Sequence, residues 1–97
     1  MKEYTLYLTN KENNAQNFPC EGEIMQVGDI YHFELSFEDF ERLALEKMKI
    51  FNRGDSKRLD QMFNERKYQV TQRHFDTSYK GNNLVSKISL IKAVEIE

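Results

Sequence analysis

Cysteine, proline, glycine and tryptophan are scarce in this chain of 97 residues, which has one, one, four and none of them respectively. The single cysteine, Cys20, excludes an internal disulfide, and so few Pro and Gly argue against a low-complexity chain. No apolar run reaches the roughly 18 residues of a membrane-spanning helix. The N-terminal apolar stretch is too short for a secretion signal, and Glu3 lies in the region that should be basic. These absences predict a cytoplasmic protein with no membrane span.

Patterns of catalytic residues are missing as well. Cys20, His32 and His74 are the only candidates for a nucleophile or an imidazole base, and they lie far apart in the sequence. His32 and Glu34 would share one face of a strand, but no third metal ligand lies near them. Every glycine is isolated, so the chain has no glycine-rich phosphate loop. We therefore predict a protein that is not an enzyme and uses neither a metal nor a cofactor.

The clearest structural signal is an amphipathic helix over residues 36–54. Ser36 is a good N-cap, and Gly54 is suited to a left-handed residue just past the end. Carboxylates lie early and cations late in this segment, as the helix dipole favours. Its apolar residues recur at helical spacing and are expected to pack on a sheet: Phe37, Phe40, Leu43, Ala44, Met48, Ile50 and Phe51.

A second, shorter helix is predicted after Gly54. Asp55 or Ser56 would cap it, and it would end near Arg66. Leu59, Met62 and Phe63 would form its apolar face. Residues 67–74 are richer in β-formers and favour a strand, although a continuous helix to about His74 remains an open alternative.

Alternating patterns predict the strands. Residues 2–9 alternate, with Tyr4, Leu6 and Leu8 on one side. Residues 10–21 are polar and aperiodic, which predicts a loop whose Phe18–Cys20 part packs back onto the core. Gly28-Asp29 predicts a hairpin turn between strands 23–27 and 30–35. The second of these strands would face the core with Tyr31, Phe33 and Leu35.

A turn over residues 77–83 and a long final strand over residues 84–96 complete the chain. The final strand is expected to point its larger apolar residues inward: Leu84, Ile88, Leu90, Val94 and Ile96. Together the elements predict a single α+β domain over residues 1–97. It would have a mainly antiparallel sheet of four to five strands, with one long helix and a short second helix on one face.

Charge is distributed unequally along the chain, although the net charge is only −2. Residues 1–46 carry three Lys and Arg against ten Asp and Glu, whereas residues 47–92 carry eleven against four. This asymmetry favours a charged partner. The alternative is that the two halves mix in space and neutralise each other, because strands from both ends of a small domain usually pair in one sheet.

Two sets of charged side chains are therefore candidate binding sites. An acidic set for a protein partner lies in the early turns of the first helix: Glu38, Asp39 and Glu41. A basic set for a protein or a nucleic acid lies in segment 47–80: Lys49, Arg53, Lys57, Arg58, Arg66 and Arg73. Phe75 and Tyr79 are interleaved with these cations and would stack on bases if exposed, although we expect them in the core.

These patterns predict a non-catalytic binding protein with a protein partner, since opposite charge clusters steer association and set the register of an interface. Small acidic chains rich in Asn and Lys resemble phage or mobile-element accessory proteins, which include inhibitors of host defence. A nucleic-acid-binding module that uses segment 47–80 is the alternative. The sequence also leaves open a homodimer through the edge of the final strand.

Overall fold

The computed structural model describes residues 3–97, which form five strands and two helices. In chain order they are β1 (Glu3–Thr9), β2 (Ala15–Glu21), β3 (Ile30–Phe33), α1 (Phe37–Glu46), α2 (Arg53–Phe63), β4 (Arg66–Lys80) and β5 (Asn83–Ile96). The predicted α+β class is confirmed. The number of strands and helices also agrees, but the second strand lies in a segment that was predicted as a loop. Lys2, where the first predicted strand begins, lies outside the described residues.

All five strands form one sheet in the order β2-β1-β5-β4-β3. Neighbouring strands are antiparallel except β1 and β5, which run parallel with Leu6 opposite Ile91. The sheet is therefore mixed, and the prediction of a mainly antiparallel sheet is only partly right. No local pattern in the sequence indicates that β1 and β5, from the two ends of the chain, lie side by side.

The core lies on one face of the sheet, between the strands and the helices. Aromatic rings fill its centre, with the Phe18 ring centroid 4.9 Å from that of Phe33 and 5.5 Å from that of Phe63. Phe40 of α1 meets Phe18 and Phe33 edge-on. Tilted and edge-on contacts of this kind stabilise a core beyond the area they bury. The other buried apolar residues are Leu6, Leu8, Ala44, Tyr68, Val70, Ile91 and Ala93.

The single helix predicted over residues 36–54 is in fact interrupted. Ser36 caps α1 as predicted, since its side chain accepts a hydrogen bond from the N–H of Asp39. The helix ends at Glu46, and Lys49 then takes a left-handed conformation with φ at 60°, which a continuing helix cannot include. Phe51 is 76% exposed and so does not belong to the apolar stripe. The prediction of one long helix and a short second one is therefore only partly matched, because α1 has 10 residues and α2 has 11.

The cap of α2 is Asn52, which the sequence analysis missed. Its side-chain oxygen accepts hydrogen bonds from the N–H groups of Gly54 and Asp55 at 2.8 and 3.3 Å. Gly54 therefore lies inside the second helix, and Ser56, a predicted cap, is buried. The helix ends at Phe63 rather than near Arg66. Its predicted apolar face packs on the core: Leu59, Met62 and Phe63.

Residues 15–21 form β2, although residues 10–21 were predicted as a loop. This strand pairs with the whole of β1. Its polar residues and Pro19 obscure the strand signal, but an edge strand tolerates both. The predicted packing of Phe18 on the core is confirmed, because its side chain is fully buried.

Residues 22–29 form a crossing loop that connects the two outermost strands of the sheet, β2 and β3. The predicted strand over residues 23–27, and with it the hairpin at Gly28-Asp29, is wrong. Gly28 has a φ of 95°, but its N–H donates to the carbonyl of Val70 in β4 at 2.8 Å. Ile24 and Met25 pack against the core as the loop crosses. After the crossing loop, β3 ends at Phe33 rather than at residue 35. The packing of the three residues predicted to face the core is confirmed: Tyr31, Phe33 and Leu35.

The last two strands form one long hairpin around Gly81 and Asn82. Residues 67–74 are strand, so the helical alternative is wrong, and β4 continues to Lys80 through much of the predicted turn. The predicted inward face of β5 is also wrong. Ile91 and Ala93 are buried, because β1 sets them beside Leu6 and Leu8. The residues predicted to point inward are exposed or only half-buried: Leu84, Ile88, Leu90, Val94 and Ile96.

Neither helix formed by residues 3–97 is long and apolar enough to cross a lipid bilayer.

Candidate functional site

The outer part of the β4–β5 hairpin projects beyond the rest of the sheet. Among residues 3–97, β3 pairs with β4 only as far as Gln69, and β1 pairs with β5 only from Leu90 onward. Beyond those points the two strands pair with each other alone. We call residues 71–88 the distal ribbon. Every one of them except Arg73 is exposed to solvent.

An irregularity in strand pairing marks the root of the distal ribbon. Val70 is opposite Ala93 and Gln72 is opposite Lys92, so Thr71 is an extra residue in β4. A bulge of this kind bends the strand and increases its twist. The hairpin therefore changes direction at the point where it leaves the sheet.

One face of the distal ribbon continues the face of the sheet that carries the core. Residues directly opposite each other in an antiparallel pair share a face, and buried Ile91 is opposite Arg73. Alternation along β4 then places Phe75, Thr77 and Tyr79 on that side. We call this side the aromatic face. Leu84 lies opposite Tyr79 and Lys87 lies opposite Thr77, so β5 contributes these two residues to it.

Large apolar side chains on the distal ribbon are exposed. The exposed fractions are 50% for Phe75, 62% for Tyr79, 54% for Leu84, 62% for Val85 and 52% for Ile88. Phe75, Tyr79 and Leu84 lie on the aromatic face, whereas Ile88 is opposite Asp76 and lies on the other face. Exposed clusters of large apolar side chains often mark interaction sites. A two-stranded ribbon is marginally stable on its own, so a covering surface would stabilise it.

Arg73 lies at the root of the aromatic face, in a groove of about 1350 Å³ beside the crossing loop. Its Nη1 donates to Oε1 of Gln26 at 2.7 Å, and its guanidinium carbon is 4.9 Å from the ring centroid of Phe75. Nε of Arg73 is buried and makes no hydrogen bond with the described residues. The stacked guanidinium is therefore held in place and keeps a donor unused. Glu23 and Lys87 also line this groove.

The acidic set predicted to bind a partner lies at the start of α1. Asp39 is 3.3 Å from Arg42 on the same helix, and Glu41 is 3.3 Å from Arg53 at the start of α2. Glu38 is exposed in the first turn. Two of the three carboxylates therefore face a cation, and the set is not a free acidic surface.

The predicted basic set is divided between separate places. Arg66 is within 3.1 Å of Glu12 and 3.0 Å of Glu95, whereas Arg73 lies at the root of the distal ribbon. The remaining members lie in or just before α2, where Arg53 is paired: Lys49, Arg53, Lys57 and Arg58. Three ion pairs join a cation of residues 47–92 to a carboxylate of residues 1–46, so the two halves mix in space: Lys47–Glu21, Arg53–Glu41 and Arg66–Glu12.

The charges around Arg66 have a structural explanation. Burial opposes its charge, but hydrogen bonds to Glu95 and Glu12 outweigh that effect and raise the pKa of Arg66. The hydrogen bond from Arg66 also lowers the pKa of Glu12. This cluster connects the turn after β1 to β4 and β5, and it leaves Arg66 poorly placed for an external phosphate.

Cys20 lines a second groove of about 750 Å³, which shares Lys87 with the first. Burial raises the pKa of Cys20 from its ordinary value of 9.0 to about 11. A hydrogen bond with Tyr4 acts in the opposite direction but is the smaller effect. The reactive thiolate is therefore scarce at neutral pH. His32 Nδ1 lies 3.4 Å from Glu34 Oε2 as their spacing suggests, but no three His, Cys, Asp or Glu side chains among residues 3–97 are placed to hold a metal ion.

Comparison with known proteins gives no match: no protein-family model fits the chain, and no curated protein or solved structure is significantly similar to it. The functional inference therefore depends on the geometry of the described residues. Within that geometry the distal ribbon is the largest departure from a simply packed domain.

Sequence reasoning missed the distal ribbon because it treated apolar residues as core residues. Phe75 and Tyr79 were expected in the core, and Leu84 and Ile88 were expected to point inward, yet all four are exposed. The available signal was the length of the final strand, which was predicted over residues 84–96 and so is longer than the first strand over residues 2–9. The 15-residue length of β4 was hidden, because residues 77–83 were predicted as a turn.

Proposed function

We propose that this protein is a non-catalytic binding protein whose distal ribbon engages another protein. The observation that carries the proposal is the exposure of five large apolar side chains on a two-stranded ribbon that projects from the sheet. A partner on the aromatic face would bury Phe75, Tyr79 and Leu84 and give the ribbon the packing that α1 and α2 give to the rest of the sheet.

The chemistry of the aromatic face favours a protein as the partner. Protein interfaces are enriched in aromatic residues and Arg, and their most important residues are often Tyr, Trp and Arg. Arg73, Phe75 and Tyr79 lie on one face of β4, and Arg73 is already ordered by its contacts with Gln26 and Phe75. Side chains that are ordered before binding lose less entropy on association.

The position of the aromatic face also suggests how the partner binds. This face continues the side of the sheet that the two helices cover, so an apolar helix or strand of the partner would extend the same layer. The distal ribbon carries Arg73, Lys80 and Lys87 against the single carboxylate of Asp76. Charge complementarity therefore favours a partner surface with acidic residues around an apolar centre.

Nucleic-acid binding through segment 47–80 has weaker support. It would require one continuous basic face, but Arg53 and Arg66 are occupied by carboxylates. An inhibitory role fits the proposal, because a small inhibitor acts by occupying a surface of its target. That role rests on the resemblance in size and composition to phage or mobile-element accessory proteins.

Alanine substitution of the aromatic face tests the proposal. The variant Phe75→Ala/Tyr79→Ala/Leu84→Ala removes three exposed apolar side chains, and Phe51→Ala is the matched control because Phe51 is exposed outside the distal ribbon. Tagged wild type and both variants would be used to capture proteins from a lysate of the native cell. Affinity for a captured partner would then be measured with purified proteins. We expect the control to bind like wild type and the triple variant to bind at least tenfold more weakly.

Equal binding by the triple variant and wild type would contradict the proposal, provided that circular dichroism shows the variant is folded. Lys57→Glu/Arg58→Glu tests the predicted basic surface of α2 in the same assay, and we expect it to retain the partner. A DNA or RNA probe that binds at low salt, and loses affinity steeply as salt rises, would favour the nucleic-acid alternative instead.

A further inference from the structure

We propose that two copies of this chain associate through the outer edge of β4, so that their distal ribbons form one four-stranded sheet. This inference does not depend on the proposed function, because it concerns the backbone edge of the ribbon rather than its aromatic face. The partner at this edge is a second copy of the chain. The edge is open, and its charges are complementary to those of the same edge in another copy.

The outer edge of β4 is long and open. From Thr71 to Lys80, no strand formed by residues 3–97 pairs with it on the side away from β5. Ten residues of strand are about 33 Å long. Proteins rarely leave such an edge unprotected, because its unpaired N–H and C=O groups are a template for another strand.

The two outermost strands of the sheet, β2 and β3, carry protection that this edge lacks. Edge strand β2 contains Pro19, which removes a backbone donor, and edge strand β3 has only four residues. Over Leu90–Val94, β5 lies between β1 and β4, so the dimer through the final strand that the sequence left open has no free edge there. Within the described chain, the outer edge of β5 is open as well from Asn83 to Ser89, but it is shorter than the open edge of β4 and the extra residue Val85 makes it irregular. The open stretch of β4 contains no proline.

The crossing loop limits where a second copy can pair. Gly28 donates to the carbonyl of Val70 at 2.8 Å, and the N–H of Val70 donates to the carbonyl of Asp29 at 2.9 Å. The crossing loop therefore already occupies the edge of β4 at Val70, and the hairpin of a second copy cannot lie there. Pairing between two copies is confined to the outer part of the edge, near residues 74–80.

Charge selects one register within that range. A two-fold axis makes an interface of the same residues from both copies, and Asp76 and Lys80 are the only Asp, Glu, Lys or Arg between residues 74 and 80. An axis at Ser78 places Asp76 of each copy opposite Lys80 of the other, which gives two ion pairs. An axis at Asp76 or at Lys80 would place like charges together, which is unfavourable.

The ion pairs across the axis would use charges that the single chain leaves available. Among residues 3–97, neither Asp76 nor Lys80 has an ion-pair partner, and both are exposed. The register also pairs Thr77 with Tyr79 and joins about five residues from each strand, a common length for a strand pairing. An axis perpendicular to the sheet keeps both aromatic faces on one side, so dimerisation would double the width of that face.

Charge reversal followed by charge exchange tests the inference. Sedimentation equilibrium of the full chain over a wide concentration range would give the dimer dissociation constant for each variant. We expect Asp76→Lys and Lys80→Asp each to weaken the dimer by about tenfold, because each turns two attractive pairs into two repulsive ones. The double variant Asp76→Lys/Lys80→Asp restores both pairs and should return the constant to near that of wild type. Lys57→Asp on α2 is the matched control and should leave it unchanged.

Three results would overturn the inference: a wild-type chain that stays monomeric at every concentration, single reversals without effect, or a double variant that does not recover. Both substituted side chains are exposed, so the variants are expected to fold, and circular dichroism would check this. A wild-type chain that stays monomeric but still captures a protein partner would refute this inference alone. Unchanged capture by the folded aromatic-face variant, together with an intact dimer, would refute only the proposed function.

Discussion

The inner and outer parts of the β4–β5 hairpin are made of the same two strands, yet they have opposite environments. In the inner part, Tyr68, Val70, Ile91 and Ala93 are buried beneath the helices. In the outer part, which is the distal ribbon, every residue except Arg73 is exposed, although the two strands remain paired. Backbone pairing is therefore common to both parts, and only the inner part has a second layer.

This difference separates two contributions to a sheet. Pairing satisfies backbone hydrogen bonds, but burial of side chains supplies most of the favourable free energy. The distal ribbon has the side chains for burial without a layer of its own chain to receive them. Because no layer formed by residues 3–97 covers these apolar side chains, we propose that the distal ribbon binds another molecule. The proposal depends on the whole set and not on any single residue.

The largest expected difference between the two regions is the cost of removing an aromatic ring. Phe63 is fully buried against Phe18, so Phe63→Ala should lower the free energy of unfolding by about 3–5 kcal/mol. Phe75 is half exposed, and Phe75→Ala should change it by less than about 0.5 kcal/mol. Chemical denaturation of both variants, followed by circular dichroism, measures the comparison.

Phe51→Ala is the control for loss of an exposed ring outside the distal ribbon, since Phe51 is 76% exposed. A large loss for Phe75→Ala, close to that for Phe63→Ala, would contradict the comparison. It would mean that the distal ribbon is already packed in solution. Measuring the loss of stability at several protein concentrations would then show whether a second copy provides the packing.

Local patterns in the sequence predicted local structure well. The cap at Ser36, the inward residues Leu6 and Leu8, and the packing of Phe18 all follow from spacing and residue type. Each depends on a few neighbouring residues, which is why periodicity detects it. The α+β class follows from the same signals.

Features set by distant parts of the chain were not predictable in this way. The inward face of β5 is fixed by its parallel pairing with β1, which places Ile91 and Ala93 in the core instead of Leu90 and Val94. The break in the first helix depends on the left-handed Lys49, for which residue type gave no warning.

The candidate site was predictable only in part. Arg73 was singled out from the sequence as a cation, and its place at the root of the distal ribbon depends on the fold. The apolar residues of the ribbon look like core residues in one dimension, because hydrophobicity alone does not say whether a covering layer exists.

A second, smaller contrast compares the reactivity of two thiols, one packed within the sheet and one placed on the distal ribbon. Burial raises the pKa of Cys20 to about 11, so at pH 9 about 1% of it should be thiolate, against about half of an ordinary thiol. Alkylation of Cys20 by iodoacetamide at that pH should therefore be roughly 50-fold slower than that of an exposed thiol. The matched control is Cys20→Ala/Ser78→Cys, which places a single thiol on the exposed distal ribbon.

The same pKa shift predicts how stability depends on pH. The folded state holds the thiol proton more tightly than the unfolded chain, so this contribution is complete below pH 9 and is lost as the pH rises towards 11. The variant Cys20→Ala should lose less stability over that range than wild type. Equal alkylation rates for the two thiols would show that Cys20 is more accessible in solution than its packing indicates.

The smallest contrast compares two asparagines that differ only in what surrounds them. Asn64 is 8% exposed, and its side-chain oxygen accepts from the N–H of Leu35 at 2.9 Å while its Nδ2 donates to the Leu35 carbonyl at 2.7 Å. Asn64→Ala leaves both backbone groups unpaired, so unfolding should become easier by about 2 kcal/mol. Asn83→Ala, at the exposed end of the hairpin, should cost less than about 0.5 kcal/mol.

Thermal and chemical denaturation of the two variants measure this difference, and Asn64→Asp refines it. Aspartate keeps an acceptor for the N–H of Leu35 but faces the Leu35 carbonyl and the carboxylate of Asp60, to which Nδ2 now donates at 2.7 Å. The repulsion favours the protonated acid in the folded state, so Asn64→Asp should regain stability as the pH falls, whereas Asn64→Ala should not. If all three variants were as stable as wild type, the link between Leu35 and Asn64 would contribute nothing. The orientation of β3 against α2 would then depend on the aromatic core alone.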